Sequence, residues 1–182
     1  MELTPTLWRT SRVLAGSVRL NLLRHILGGG GPCVTELAAA AGLSEPRASQ
    51  ELRRLQARGL VRAVRQGRYL VYRPEPDPKV PSAKPLLAAA RTALAGRPDA
   101  ETIRVARAFG HDRRLTIVQT LRRGPQPASI LPAVADIPAQ ALFRHLRVLQ
   151  AGGVVRRTKH GWELAPAGHP LAKALLQLLA QP

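Results

Sequence analysis

The sequence of 182 residues has one cysteine, few acidic residues and no long hydrophobic run. The single Cys33 excludes an internal disulfide and indicates a reducing compartment, of which the cytoplasm fits best. Because no stretch of about eighteen apolar residues is present, we expect no transmembrane helix. Only 11 residues are Asp or Glu against 28 Lys or Arg, which gives a net charge of +17.

This positive charge is spread along the whole chain. Residues 1–95 contain 15 basic and 6 acidic residues, and residues 96–182 contain 13 and 5, which excludes a basic tail on a neutral body. Most of the basic residues are arginine, which binds phosphate and guanine in a bidentate manner, although a GC-rich coding bias also favours arginine. The scarcity of acids favours a polyanionic partner, with nucleic acid ahead of an anionic membrane surface.

One stretch of sequence occurs twice. Residues 48–62 return as residues 142–156 at an offset of 94, with Leu, Arg, Leu, Gln, Ala, Gly, Val and Arg identical at matching positions. A repeat of this length indicates two copies of one structural unit. We therefore expect two domains, 1–96 and 97–182, separated at Gly96-Arg97-Pro98, each large enough for its own core.

Hydrophobic periodicity and turn residues predict the same order of elements in both copies. In the first copy, three helices lead to a fourth over about 44–57, then to a hairpin over 60–73 with Gln66-Gly67 at its tip. A proline-rich connector at 74–84 precedes a closing helix within 85–94.

In the second copy, the third helix is predicted to be weak because Pro132 lies inside it. Its fourth helix is predicted over 138–150, with a hairpin tip at 159–162 and a closing helix from Pro170. The expected fold is mainly α-helical with small β-hairpins. Most of the acidic residues are interpreted as helix-terminal or surface residues.

Helices followed by a β-hairpin in this order form a winged helix-turn-helix unit. Residues 43–55, together with Gly59-Leu60-Val61 and 66–73, resemble the ArsR family of bacterial repressors, and residues 142–149 are similar to a more divergent member. The resemblance implies that each fourth helix enters a DNA major groove while the hairpin, or wing, touches backbone or minor groove. It also implies association through first and last helices, so the chain is expected to be two fused units that form a pseudo-dimer.

The resemblance places the DNA-contacting residues on the fourth helix and the wing of each copy. In the first copy these are Arg47, Ser49, Gln50, Arg53 and Arg54 on the helix and Arg65, Gln66 and Arg68 on the wing. In the second copy they are Gln140, Phe143, Arg144, His145 and Arg147 on the helix and Arg157, Lys159 and His160 on the wing. Because the two sets differ, we expect an asymmetric or imperfectly palindromic site.

No pattern in the sequence indicates an enzyme or a cofactor. The five histidines lack metal-ligand spacing, and Thr35 stands where metal-sensing members of the resembled family have a second cysteine near Cys33, so no metal site is expected. The residues do not identify an effector. The leading hypothesis is a cytoplasmic, nucleoid-associated repressor of transcription that binds double-stranded DNA. A monomeric pseudo-dimer and a homodimer paired through the last helix both remain open.

Two other functions use tandem winged helices. One is a protein-binding adapter of the kind found in chromosome-condensation complexes, which has no need of a charge of +17. The other is a plasmid or phage replication initiator, which would bind repeated sites at an origin. Binding to duplex DNA in the presence of competitor distinguishes the adapter, and the position of the bound sites distinguishes the initiator.

Overall fold

The computed structural model describes residues 6–180, and within this range the chain forms ten helices and two β-hairpins. The helices are α1 (Leu7–Val13), α2 (Ser17–Leu27), α3 (Val34–Ala41), α4 (Glu45–Gln56), α5 (Ala83–Gly96), α6 (Asp99–Phe109), α7 (Asp112–Leu121), α8 (Leu131–Ala135), α9 (Ala139–Ala151) and α10 (Pro170–Leu178). The strands are β1 (Arg62–Gln66), β2 (Tyr69–Arg73), β3 (Val155–Thr158) and β4 (Gly161–Leu164). The prediction of a mainly α-helical fold with small hairpins is confirmed.

The order of elements repeats along the chain. Four helices, a hairpin and a closing helix make up α1 to α5, and the same series recurs from α6 to α10. The expected boundary at Gly96-Arg97-Pro98 coincides with the short break between α5 and α6. We call residues 6–96 the first half and residues 97–180 the second half. Their status as two domains stays a prediction, and the predicted ends at 1–5 and 181–182 lie outside the described residues.

Two local predictions need correction. The turn of the first hairpin is Gly67-Arg68 rather than Gln66-Gly67, because Gln66 still pairs with Tyr69, and Gly67 takes a left-handed φ of 60° that glycine adopts without strain. Pro132 lies in the first turn of α8, where a missing N–H breaks no helical hydrogen bond. The helix is nevertheless short, at five residues.

Each hairpin is held to the loop before the third helix of its own half. The backbone N–H of Tyr72 donates to the carbonyl of Pro32 at 2.9 Å. In the second half, Gln126 and Trp162 exchange two backbone hydrogen bonds of 2.9 and 2.8 Å. These contacts fix the position of each wing relative to the helix that follows the loop. Because the third helix of the first half also packs against α4, the wing and α4 hold a defined position relative to each other.

The first helices of the two halves pack against each other. The hydroxyl of Ser11 in α1 donates to the carbonyl of Ala106 in α6 at 3.0 Å, and both residues are fully buried. At the end of α6, a Cβ placed on Gly110 would lie 3.2 Å from the Cα of Arg12. A larger residue at position 110 would therefore push the two helices apart.

The last helices also pack against each other, and their contact joins the cores of the halves. Leu86 and Leu87 of α5 and Leu171 and Leu175 of α10 are all buried in one continuous hydrophobic cluster. The cluster also contains the helix-turn-helix cores of both halves, including Phe109 at 0% exposure. None of the helices between residues 6 and 180 has the length and hydrophobicity needed to cross a membrane.

Because one core is shared, we expect the two halves to unfold together. The chain has one tryptophan in each half, Trp8 in α1 and Trp162 in β4. Trp8→Phe and Trp162→Phe therefore yield variants whose fluorescence reports one half at a time. Urea unfolding of the two variants should give coincident midpoints and equal slopes, as for one cooperative transition. Two clearly separated midpoints, with far-UV circular dichroism as the common reference, would contradict a shared core.

Candidate nucleic-acid interface

Helix α4 is positioned by one apolar stripe. Ala48, Leu52 and Leu55 are fully buried at a spacing of three to four residues, so the opposite face must be exposed. Pro46 occupies the first turn, where proline is well tolerated. The exposed side chains include four of the five predicted contacts on this helix: Arg47, Gln50, Arg53 and Arg54. The fifth, Ser49, is half-buried.

Glu51 of α4 is the main feature that sequence reasoning missed. Its side chain is 1% exposed, so it is an exception to the interpretation of most acids as helix-terminal or surface residues. Arg19 of α2 reaches its Oε2 at 2.8 Å, while Arg54 and Arg47 reach its Oε1 at 2.9 and 3.3 Å. Burial opposes ionisation of the carboxyl, but the hydrogen bonds and charges of Arg19 and Arg54 outweigh burial and lower the pKa of Glu51. The carboxylate is therefore charged at neutral pH.

The ion pairs divide the arginines of α4 into two kinds. Arg47 and Arg54 are tied to Glu51 at i,i+4 and i,i+3 spacing, so their guanidinium groups are already oriented. Arg53 is exposed, and it forms no ion pair with any residue between 6 and 180. Its charge acts on Tyr72 of the wing, whose pKa is raised by burial and lowered in part by Arg53.

The tip of the first wing carries cations beside exposed apolar surface. Arg65, Gln66 and Arg68 are exposed, as predicted contacts must be. The guanidinium of Arg68 lies 4.9 Å from the centre of the Tyr69 ring and donates to its hydroxyl at 2.7 Å. Tyr69 and Leu70 are 51% and 49% exposed and were not predicted as contacts. Strand alternation would have buried one of these two neighbours, so the sequence carried no signal that both are exposed.

Helix α9 exposes a different set of side chains. Gln140, Arg144 and Arg147 are exposed cationic or polar residues, and Phe143 is 63% exposed. Phe143 occupies the position of Ser49 in the first half, so an apolar ring replaces a hydroxyl. The helix follows Asp136, which takes a left-handed φ of 49°, and it begins after Pro138. The two candidate recognition helices thus differ in chemistry at equivalent positions.

His145, predicted as a DNA contact, is half-buried instead. Its Nδ1 is buried without a hydrogen-bond partner among the described residues, and its ring meets that of His111 edge-on at 5.1 Å. The residue stands at the position of Glu51, and Arg114 stands at that of Arg19. A histidine therefore replaces the buried carboxylate of the first half. Burial, then Arg114, His111, Arg113 and Arg144, lower the pKa of His145.

Among residues 6–180, Arg114 has no such carboxylate partner but keeps the contact to a backbone carbonyl that Arg19 makes to Val13. Its Nε donates to Ala108 at 2.8 Å and its Nη2 to Arg107 at 2.7 Å, both at the end of α6. Burial, followed by the charge of Arg12, lowers the pKa of Arg114 to about 10. The carbonyl ends of a helix attract cations, which explains why the arginine is half-buried here.

The second wing presents the three predicted residues to solvent. Arg157, Lys159 and His160 are exposed at the hairpin and its tip. The neighbouring Arg156 is paired with Glu163 across the strands at 2.6 Å. This pair neutralises one cation of the wing and leaves the predicted set as its positive surface.

The backbone of Cys33 links the start of α3 to the first wing. Its backbone N–H donates to the Oε2 of Glu36 at 2.8 Å at the start of α3, and its backbone pairs with that of Val71. Between residues 6 and 180, no group of three or more His, Cys, Asp or Glu is arranged to hold a metal ion.

This geometry agrees with a comparison to known families. Residues 16–68 match the model of the MarR family. The match covers α2 to α4 and the first strand of the wing, and MarR-family members are DNA-binding transcription regulators rather than enzymes. It supports a winged helix-turn-helix regulator without singling out the ArsR family, and it does not extend to the second half. No curated protein and no solved structure gives a match.

The lowered pKa of His145 makes stability dependent on pH. Because the folded chain binds a proton here less readily than the unfolded chain, the free energy of unfolding should be highest above about pH 6.5 and fall as pH decreases below it. The lowered pKa values of His111 and His169 act in the same direction. Urea unfolding at pH 7.5 and 5.0 measures the difference.

In the variant His145→Gln this difference should be smaller, since one of the three groups is removed. His160→Gln, on the exposed wing tip, is the matched control and should behave like the original chain. An unchanged pH dependence in His145→Gln would show that the histidine is not desolvated as the structure places it.

Proposed function

We propose that the chain is a sequence-specific regulator of transcription, a repressor that occludes a promoter by binding double-stranded DNA. The observation that carries this proposal is the presence, in each half, of an exposed cationic fourth helix beside a cationic wing. The match of residues 16–68 to the MarR family supports the assignment for the first half. Phosphate neutralisation by the arginine excess supplies affinity, and the exposed faces of α4 and α9 supply choice of sequence.

We further propose that the two halves act as a pseudo-dimer. Support comes from the packing of equivalent helices, α1 with α6 and α5 with α10, which is the arrangement of two protomers related by a twofold axis. In such an arrangement α4 and α9 would enter successive major grooves about 34–36 Å apart. The chain would act in the cytoplasm, at the nucleoid.

Arg53 should contribute to binding much more than a cation remote from the helix. Arg53→Ala removes an exposed guanidinium of α4, and we expect about tenfold or greater loss of affinity. Arg91→Ala, on the exposed side of α5, removes the same charge and should have a small effect. Fluorescence anisotropy with a duplex obtained by in vitro selection measures both. Equal losses would remove α4 from the interface.

One chain should protect two unequal half-sites. Ser49 and Phe143 occupy equivalent positions, so α4 and α9 cannot prefer the same bases. Hydroxyl-radical footprinting, with light scattering to establish one chain per duplex, should show two protected grooves one helical turn apart in an asymmetric sequence. A perfectly palindromic optimum, or two chains on each site, would contradict the pseudo-dimer.

A protein-binding adapter is the second candidate, and one observation favours it. Phe143, Ile130 and Val134 are 63%, 44% and 43% exposed, so the helix-turn-helix of the second half carries more apolar surface than a phosphate-binding face requires. The anisotropy experiment separates the two functions. If the chain does not bind the selected duplex when competitor DNA is present, the adapter function is favoured.

A further inference from the structure

A cavity on the first half is lined mainly by arginines. It has a volume of about 480 Å³ and lies between α1, the start of α2 and the end of α4. Its charged lining comprises Arg9, Arg12, Arg19, Arg54 and Arg58, with Trp8 at one side. The described residues that line it include no acid. Guanidinium groups gathered around one space give it a positive potential that attracts an anion.

Two of these arginines are the partners of Glu51. Arg19 and Arg54 contact its carboxylate at 2.8 and 2.9 Å, and the same two side chains line the cavity. Arg9 lies over the indole of Trp8, with its guanidinium carbon 4.9 Å from the ring centre, which holds that cation at the cavity wall. The buried carboxylate therefore stands directly behind the cationic surface.

We propose that this cavity binds a small phosphorylated compound carrying at least two negative charges. Its volume lies within the range of small-molecule sites, roughly 300–1,000 Å³. Arginine presents a planar fork of donors that matches phosphate oxygens, and five arginines line this space. The apolar side chains of Val13 and Ala57 complete the wall, so the compound can carry a small uncharged portion beside its phosphate groups.

The site is connected to the proposed DNA-binding face through Glu51. Arg47, Glu51 and Arg54 follow one another at i, i+4 and i+7, so they form a stripe along α4 with the cavity at its C-terminal end. An anion in the cavity competes with Glu51 for Arg19 and Arg54. The buried carboxylate cannot remain unpaired at low cost, so it holds Arg47 more firmly. Arg47 is then less free to contact a DNA phosphate.

This coupling rests on the proposed function, and it gives the ligand a direction of action. Binding of the anion should weaken binding of DNA, and DNA should weaken binding of the anion by the same factor. The chain would then release its site when the phosphorylated compound accumulates. The cavity itself can be tested without DNA, so the two proposals can fail separately.

Titration calorimetry with inorganic pyrophosphate, at ionic strength held constant with NaCl, tests the site in the free protein. We expect saturable binding with one site per chain. The double variant Arg9→Gln/Arg12→Gln changes two exposed residues that lie outside the proposed DNA contacts, and it should abolish binding. Arg91→Gln is the control and should retain it. Absence of saturable binding, or equal binding by both variants, would overturn the proposal.

Two further arms define the ligand and its effect. Citrate should bind much more weakly than pyrophosphate, and equal affinity would overturn the assignment of phosphate chemistry. In anisotropy at constant ionic strength, saturating pyrophosphate should weaken duplex binding about fivefold or more in the original chain and not in Arg9→Gln/Arg12→Gln. If that variant loses duplex affinity without pyrophosphate as strongly as Arg53→Ala does, the cavity is part of the DNA interface and the proposal is wrong.

Discussion

The apolar faces of four helices, paired as α1 with α6 and α5 with α10, constrain every other part of the molecule. Their buried residues belong to the same cluster as the helix-turn-helix cores, so no recognition helix can move far without disturbing the common core. Close packing makes such a core resist partial rearrangement. The positions of α4 and α9 relative to each other are therefore set by helices that take no part in the proposed DNA-binding surfaces.

Within this frame, the halves differ most at one pair of equivalent positions. The first half places a buried carboxylate, Glu51, among three arginines, while the second places His145 beside Arg114 and His111. A charged carboxylate orients Arg47 and Arg54 of α4, whereas a desolvated histidine provides no such anchor. In the same fold, α4 therefore carries cations that an ion pair orients. Among the described residues, the arginines of α9 have no such buried carboxylate to orient them.

Much of the fold could be predicted because its signals are local. Glycines at 28–31, 42 and 59 mark the ends of α2, α3 and α4. The spacing of Ala48, Leu52 and Leu55 defines the buried face of α4. The turn of the first hairpin was predicted one residue too early. Its position depends on the cross-strand pairing of Gln66 with Tyr69 rather than on local preference. Burial of Glu51 could not be predicted, because it depends on Arg19 arriving from another helix.

The sequence alone determined which elements form, their order, the recurrence of that order and the cationic character of both halves, since these follow from periodicity, turn residues and composition. Only the tertiary structure decided which charges are paired, which rings are exposed and how the halves share a core. The physical reason is distance. Ion pairing, desolvation and close packing act between atoms a few ångströms apart, and residues 32 or 95 positions apart become neighbours only when the chain has folded.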